Sequence, residues 1–295
     1  MTLLRRPARW TRTGDPIETG PRWSTRRQAS AYAILIAGAM VFIVPFWWMF
    51  ATSLSRRANS GLPRVPNFWP GDPSDFNYMV ASANLPLFRF YFNSFVTVLA
   101  VTLGYLFFSS LAGYVFAKGR FPGRGLLFLV FLTTLFIPFP MQMIPLYLLM
   151  RDMGLNNTLA GLVVPFLVGG FGIFLMRQAM LSVPDDLVDA ARLDGASEFR
   201  IYRAVMLPLV KPTLVTLAVI SILWRWNDIL WPLLVNSDRN LYTVTQGLAL
   251  AGRTDGLRAG VAMATAAMAI FPVVVAYIIF QRWIIRGIAT TGTRG

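Results

Sequence analysis

The chain has 295 residues, 56% of them hydrophobic, with a mean hydropathy of +0.56, which is too apolar for a soluble domain of this size and describes an integral membrane protein. Its formal net charge of +14 is read first as topology, through the side of the bilayer that retains basic residues, rather than as affinity for nucleic acid. Histidine and cysteine are absent, which excludes disulfides, thiol nucleophiles, imidazole bases and the usual zinc or haem ligands, and no GxxxxGK[ST] loop is present to hold ATP.

Residues 1–28 are polar and rich in arginine, and read as a cytoplasmic tail. Gln28 to Ser55 carries no charge and is too long for a signal-peptide core, so it is expected to stay as a first span, with Pro45 a possible kink. Arg56 to Arg89, with Pro63, Pro66, Pro70, Pro73 and Pro86, predicts an irregular loop whose Phe68, Trp69, Phe76 and Tyr78 suit a membrane interface. Phe90 to Ala117 is the second span, closed by a basic turn from Lys118 to Arg124. A third runs from Gly125 to Met150. Its Pro138, Pro140 and Pro145 remove backbone donors around Gln142 and should break or kink it where the freed carbonyls face protein or water. The fourth fits Leu159 to Met176, with Gly169, Gly170 and Gly172 permitting close helix approach. The fifth, about Thr213 to Val235, is interrupted by Arg225 and Asp228, and the sixth covers Ala259 to Gln281.

Assigning the six spans puts the two tails and the second and fourth connections on one side. That side carries more than twice the Lys and Arg of the other, so both termini are expected in the cytoplasm. The organisation is then a tail (1–28), a six-helix transmembrane domain (29–281) and a cytoplasmic C-terminal tail (282–295).

Between the fourth and fifth spans, residues 182–212 hold the longest charged stretch among the apolar segments. The pattern is two short helices: Ser182 is expected to cap the first, with Pro184 in its first turn and Asp185 at its positive end. Asp194-Gly195 should stop that helix through a left-handed glycine, and Ser197-Glu198 should start the next. Phe199, Tyr202 and Val205 follow at helical spacing, and Pro208 is expected to close the unit. By spacing, a surface-lying amphipathic hairpin and a docking element fit equally well.

Asp189-Ala190-Ala191, Asp194-Gly195-Ala196, Phe199, Ile201 and Leu207-Pro208 resemble the EAA loop of binding-protein-dependent ABC importer permeases, with Asp189 standing where that family usually has Glu. Tyr91 to Ser94, Phe121 to Arg124, Ile144 to Leu146, Gly154 to Thr158, Trp226 to Asp228, Trp231 to Leu233 and Gln281-Arg282 are similar to its carbohydrate branch, in particular to the smaller maltose-transporter-like inner-membrane permease. The resemblance implies an all-α type I importer permease in the bacterial cytoplasmic membrane, taking up a sugar. It implies a second permease, two ATPase subunits that bind the ATP and magnesium, and an extracytoplasmic solute-binding protein. Small Ala190 and Ala191 permit close helix approach, Phe199 and Tyr202 offer aromatic anchors, and Asp189, Asp194 and Glu198 can fix register. These residues, with Gly195 and Ala196, are therefore expected to meet the ATPase and to move as a rigid lever when it closes on nucleotide. The C-terminal tail should reach the same interface, although Gly292 to Gly295 depart from the usual GAVKG ending.

For the substrate path the residues offer Gln142, Trp224, Trp226, Asn227 and Asp228, since aromatic faces and hydrogen-bonding side chains bind sugars. The tryptophans equally suit interface anchors. Arg225 and Asp228 are expected to form an ion pair, inside the chain or to a partner. The competing readings are a permease of the same superfamily for an amino acid, polyamine or osmolyte, a membrane-embedded enzyme, for which a polar catalytic cluster is lacking, and a self-sufficient channel.

Overall fold

The computed structural model describes residues 25–60, 68–254 and 258–291. The N-terminal tail up to residue 24, Pro63 and Pro66 of the first loop, and Gly292 to Gly295 lie outside them. The described residues are helical, with no strand beyond an isolated bridge between Ser55 and Pro73.

Helix α1 (Thr25–Ser53) is charge-free beyond Arg27 and almost wholly exposed, with Ile34 73% and Phe42 77% accessible. An all-round apolar helix of this kind has lipid or another chain as its natural surroundings. After the first loop, α2 (Phe76–Asn84) leads into α3 (Leu87–Lys118), the central helix, which packs most extensively against α7. The sequence placed the charge-free core of α3 correctly. Its first turn starts earlier, at Leu87, because Pro86 is tolerated at a helix N-terminus.

The proline-rich third span breaks: α4 (Arg124–Thr133), extended by a 3-10 turn to Phe136, meets α5 (Phe139–Asp152) at 107°. Pro138 cannot continue the helix, and Pro140 falls in the first turn of α5, where a missing N–H costs nothing. Next come α6 (Leu159–Val163) with a 3-10 turn to Phe166, then α7 (Gly170–Leu181), bent by 43°. The fourth span is therefore two pieces and extends past Met176. The glycines have the packing role expected of them. A Cβ on Gly172 would lie 2.7 Å from the Tyr105 ring of α3 and against the Ser109 hydroxyl, and one on Gly113 would lie 2.7 Å from Met176.

Two short helices follow, α8 (Asp185–Leu193) and α9 (Glu198–Ile201), then a π-helical turn over Tyr202–Met206 and α10 (Leu207–Leu209). Pro208 does not close the unit: the helical path runs through it. The widened turn just before it accommodates a proline that has no N–H to donate and would crowd the carbonyl four residues back. The direction changes instead at Val210, where the segment beginning at Glu198 meets α11 (Lys211–Trp226) at 79°. The fifth span does not reach Val235 as one helix, because α11 ends at Trp226. Asp228 and its neighbours are irregular, and α12 (Leu230–Val235) folds back onto α5 and α6.

Finally α13 (Val244–Thr254) precedes α14 (Ala259–Thr291), which contains Pro272. The chain from 282 to 291, expected as a tail, continues this helix. By length and apolarity α1 (from Gln28) and α3 each suffice to cross a bilayer, up to three further crossings arise if each bent pair is one span, and Ala259–Val275 of α14 is a shorter apolar stretch.

Candidate functional site

The helix pair is shaped by its own turn chemistry. Ser182 turns back to donate to the Ala179 carbonyl at 2.7 Å and so finishes α7, leaving Pro184 at the N-cap of α8. The expected cap on α8 is thus supplied by neither, and Asp185 and Asp186 complement the open N-terminus. At its other end Gly195 has φ +75°, the Gly195 N–H bonds the Arg192 carbonyl and the Ala196 N–H bonds the Ala191 carbonyl, each at 3.0 Å. That is a Schellman closure, the reason a glycine stands there. Ser197 then caps α9 by accepting from the Arg200 N–H.

Tertiary contacts lock the pair to α3. The Tyr114 hydroxyl donates to Glu198 Oε2 at 2.6 Å, Ser110 and Tyr202 share a hydrogen bond of 2.7 Å, and Lys118 donates to the Val183 carbonyl at 2.7 Å and pairs with Asp185. Arg192 bridges the two helices, with Nε on Glu198 at 2.8 Å and Nη1 on Asp189 at 2.9 Å. Hydrogen bonds from the Arg192 guanidinium, and then from Tyr114, hold the Glu198 carboxyl below its ordinary range, and Lys118 does the same for Asp185. Beneath them Val188, Ile201, Tyr202, Met206 and Val210 share one core with Met176 and Met180 of α7.

The nine sequence-selected residues therefore divide. Asp189, Ala190, Asp194, Gly195, Glu198 and Phe199 face outward, Phe199 with 61% of its surface accessible. Ala191 and Ala196 are half-buried against the core. Tyr202, expected as an outward anchor, is 4% exposed because its ring and hydroxyl are committed to α3. Sequence reasoning passed over Leu193, 90% exposed at the tip of α8, and the clamping residues Ser110, Tyr114, Lys118 and Arg192. For Ser110, Tyr114 and Lys118 the signal was weak: polar groups at the end of an apolar helix, far along the chain from the partners they meet. Arg192, by contrast, stands only three and six residues from its partners.

A second feature lies where the helices break. A cleft of about 500 Å³ is bounded by Ile137 at the α4–α5 break, by Val168 to Gly170 at the α6–α7 break and by Trp224 and Arg225 at the end of α11. Three interruptions thus converge on one hollow, the situation in which irregular backbone is tolerated at membrane depth. Gln142 and Trp224 both line it. Gln142 donates to the Ile137 carbonyl at 2.8 Å, satisfying an acceptor freed by the proline break, and Trp224 packs its ring 5.4 Å from Phe171. Trp226, Asn227 and Asp228 do not line it. Asn227 donates to Leu223 within the last turn of α11. Asp228 accepts from Arg225 at 2.9 Å and from the Trp231 N–H at 3.3 Å, so the expected ion pair forms inside the chain.

Fold and site together define a helical membrane protein with a rigid, exposed helix pair at one end and a polar-aromatic cleft among broken spans. Residues 105–290 match the model of the binding-protein-dependent transport system inner membrane component, and the chain belongs to that family. It is 34% identical over 270 residues to an sn-glycerol-3-phosphate transport system permease of Agrobacterium fabrum, which spans 88% of this chain and 95% of the relative. It is 37% identical over 229 residues to an arabinooligosaccharides transport system permease of Halalkalibacterium halodurans, spanning 76% and 82%. A crystal structure of a bacterial ABC transporter involved in import of the acidic polysaccharide alginate contains a chain that superposes with a TM-score of 0.76 at 26% identity. The match covers 89% of this chain and 99% of that one. The chain is accordingly a transporter permease component, and the membrane-enzyme reading gives way to that assignment.

Proposed function

We propose that this chain is the membrane-spanning subunit of an ATP-driven importer for a sugar or sugar derivative in the bacterial cytoplasmic membrane. It works with a second permease, two ATPase subunits that carry the ATP and magnesium, and an extracytoplasmic solute-binding protein. Its six spans are α1, α3, the bent pairs α4–α5 and α6–α7, α11 and α14, with both termini cytoplasmic. The distribution of Lys and Arg supports that orientation. The observation that carries the reading is the α8–α9 pair, internally closed at Gly195 and fastened to α3, with Leu193 and Phe199 left uncovered. A stiff element with two apolar side chains at its tip suits a motor that pushes on it, since an exposed anchor of this kind gains by burial in a partner.

In this mechanism the ATPase grips the tip, and its closure displaces the pair as one body. Tyr114, Ser110 and Lys118 pass the displacement to α3 and thence to α7. The bundle switches between inward-open and outward-open arrangements in a hinge or shear motion. The solute crosses along the cleft that Gln142 and Trp224 line. Affinity purification of the tagged chain from mild detergent, followed by mass spectrometry, tests the assembly: an ATPase and a second six-span permease should accompany it. Recovery of the chain alone under nucleotide-stabilising conditions would sink the proposal. Sugar uptake by the reconstituted complex must also require ATP.

A further inference from the structure

The cleft is lined by one guanidinium, that of Arg225. Arg225 sits at the end of α11, its side chain 17% exposed, with Cζ 3.8 Å from the centroid of the Phe166 ring. Its described hydrogen bonding amounts to one contact, Nη1 to Asp228 Oδ2. A guanidinium is a fork of donors shaped to take a carboxylate or phosphate through two of them at once, and the remainder of this fork is not spent on Asp228. Asp228 does not line the cleft: it lies behind the arginine in a small void with Ser94 and Thr97, held by the Trp231 N–H. The charge facing the hollow is therefore the cation, with its counter-ion on the far side. Trp224 and Phe171 supply aromatic surface and Gln142 an amide group around the same space, which suits a pyranose ring.

We infer that the cleft receives a saccharide bearing an anionic substituent, carboxylate or phosphate, and that Arg225 reads that group while Asp228 holds the guanidinium in place. The inference rests on the cleft being the solute path proposed above. Among the described residues no charged one other than Arg225 lines the cleft, so an anionic group there meets a cation and no opposing carboxylate, whereas a neutral sugar can offer the guanidinium only hydroxyl acceptors without charge.

The test is calorimetric titration of the full chain, purified in mild detergent with the subunits that accompany it. The probes are digalacturonate, glucose 6-phosphate and neutral maltose. At least one anionic probe should bind about tenfold or more tighter than maltose, the order expected of a charge-assisted contact, and the comparison between the two anions tells carboxylate from phosphate. Removing Arg225 alone would leave Asp228 buried and unpaired, so the informative variant is Arg225→Gln with Asp228→Asn, which keeps an acceptor for Trp231. It should elute as the same species, and the preference for the anion should vanish. Equal binding of neutral and anionic probes by the wild type, discrimination that survives in the double variant, or no binding of any probe would each overturn the inference. Copurification with an ATPase is scored separately, so the permease reading stands or falls on its own result.

Discussion

The Tyr114 hydroxyl reaches across 84 residues of sequence to donate a 2.6 Å hydrogen bond to Glu198, joining the end of the central helix to the first turn of α9. Glu198 is held from its other oxygen by Arg192, so one carboxylate ties α3, α8 and α9 together. Tyr114→Phe keeps the ring packed on Tyr202 and removes only the hydroxyl. It should cost about 1.5 kcal/mol of stability, the low end for a hydrogen bond to a charged group because the Glu198 side chain is largely exposed. In a thermal melt of the detergent-solubilised complex the midpoint should fall modestly, and ATP hydrolysis should outpace uptake. Unchanged coupling would show that the clamp does not transmit force.

The same pairs predict a pH dependence. Arg192 and Tyr114 lower the folded-state pKa of Glu198 beneath its ordinary 4.5, and Lys118 lowers that of Asp185 beneath 3.8. A depressed carboxylate contributes stability that is full above the ordinary value and is lost as pH falls through the lowered one. Melting measured from about pH 6 down to about pH 3 should show a decline in the wild type that is shallower in Glu198→Gln, which starts less stable and has less to lose. Parallel curves would argue against the pairing.

Gly195 holds φ +75° with open space where a Cβ would stand, so a substitution there is penalised by the backbone and not by a clash. Gly195→Asp should destabilise the turn by about 1 kcal/mol, while the charge enters the exposed tip. The complex should assemble, and ATP-dependent uptake should drop severalfold. Full uptake by this variant would remove the lever from the mechanism.

Close approach of α3 and α7 depends on Gly113, where a Cβ would meet Met176 at 2.7 Å and the Arg177 backbone at 3.0 Å. Gly113→Leu should destabilise by about 1–3 kcal/mol, the range for overpacking, and lower the yield of folded protein. Gly38, inside α1 with nothing within 4 Å of its would-be Cβ, is the control: Gly38→Ala should not lower yield or melting, since Ala without a clash favours the helix.

Gln142 tests whether the break at Ile137 needs its side chain. Gln142→Ala strips the Ile137 carbonyl of its partner at the edge of the cleft. A loss of about 1–3 kcal/mol is expected if water does not replace the amide, along with altered solute affinity and intact copurification. Loss of the partner chains would instead make Gln142 an assembly residue.

Much of this protein was legible in its sequence because the causes are local. Apolar runs specify α1, α3 and α14 wherever they stand, Pro138 forces a break whatever surrounds it, and Gly195 ends α8 through its own φ. Leu193, Trp226 and Asp228 resisted that reading because their roles depend on neighbours. Burial of Tyr202 and the clamp of Tyr114 on Glu198 each require a partner that the chain does not supply nearby, whereas the Arg225–Asp228 pair, three residues apart, was within reach of the sequence. The meeting of three helix breaks around one cleft is the clearest case. Each break follows from its own residues, but their convergence is set by how α3, α5, α7 and α11 pack, because only packed helices fix where interrupted backbone comes to rest.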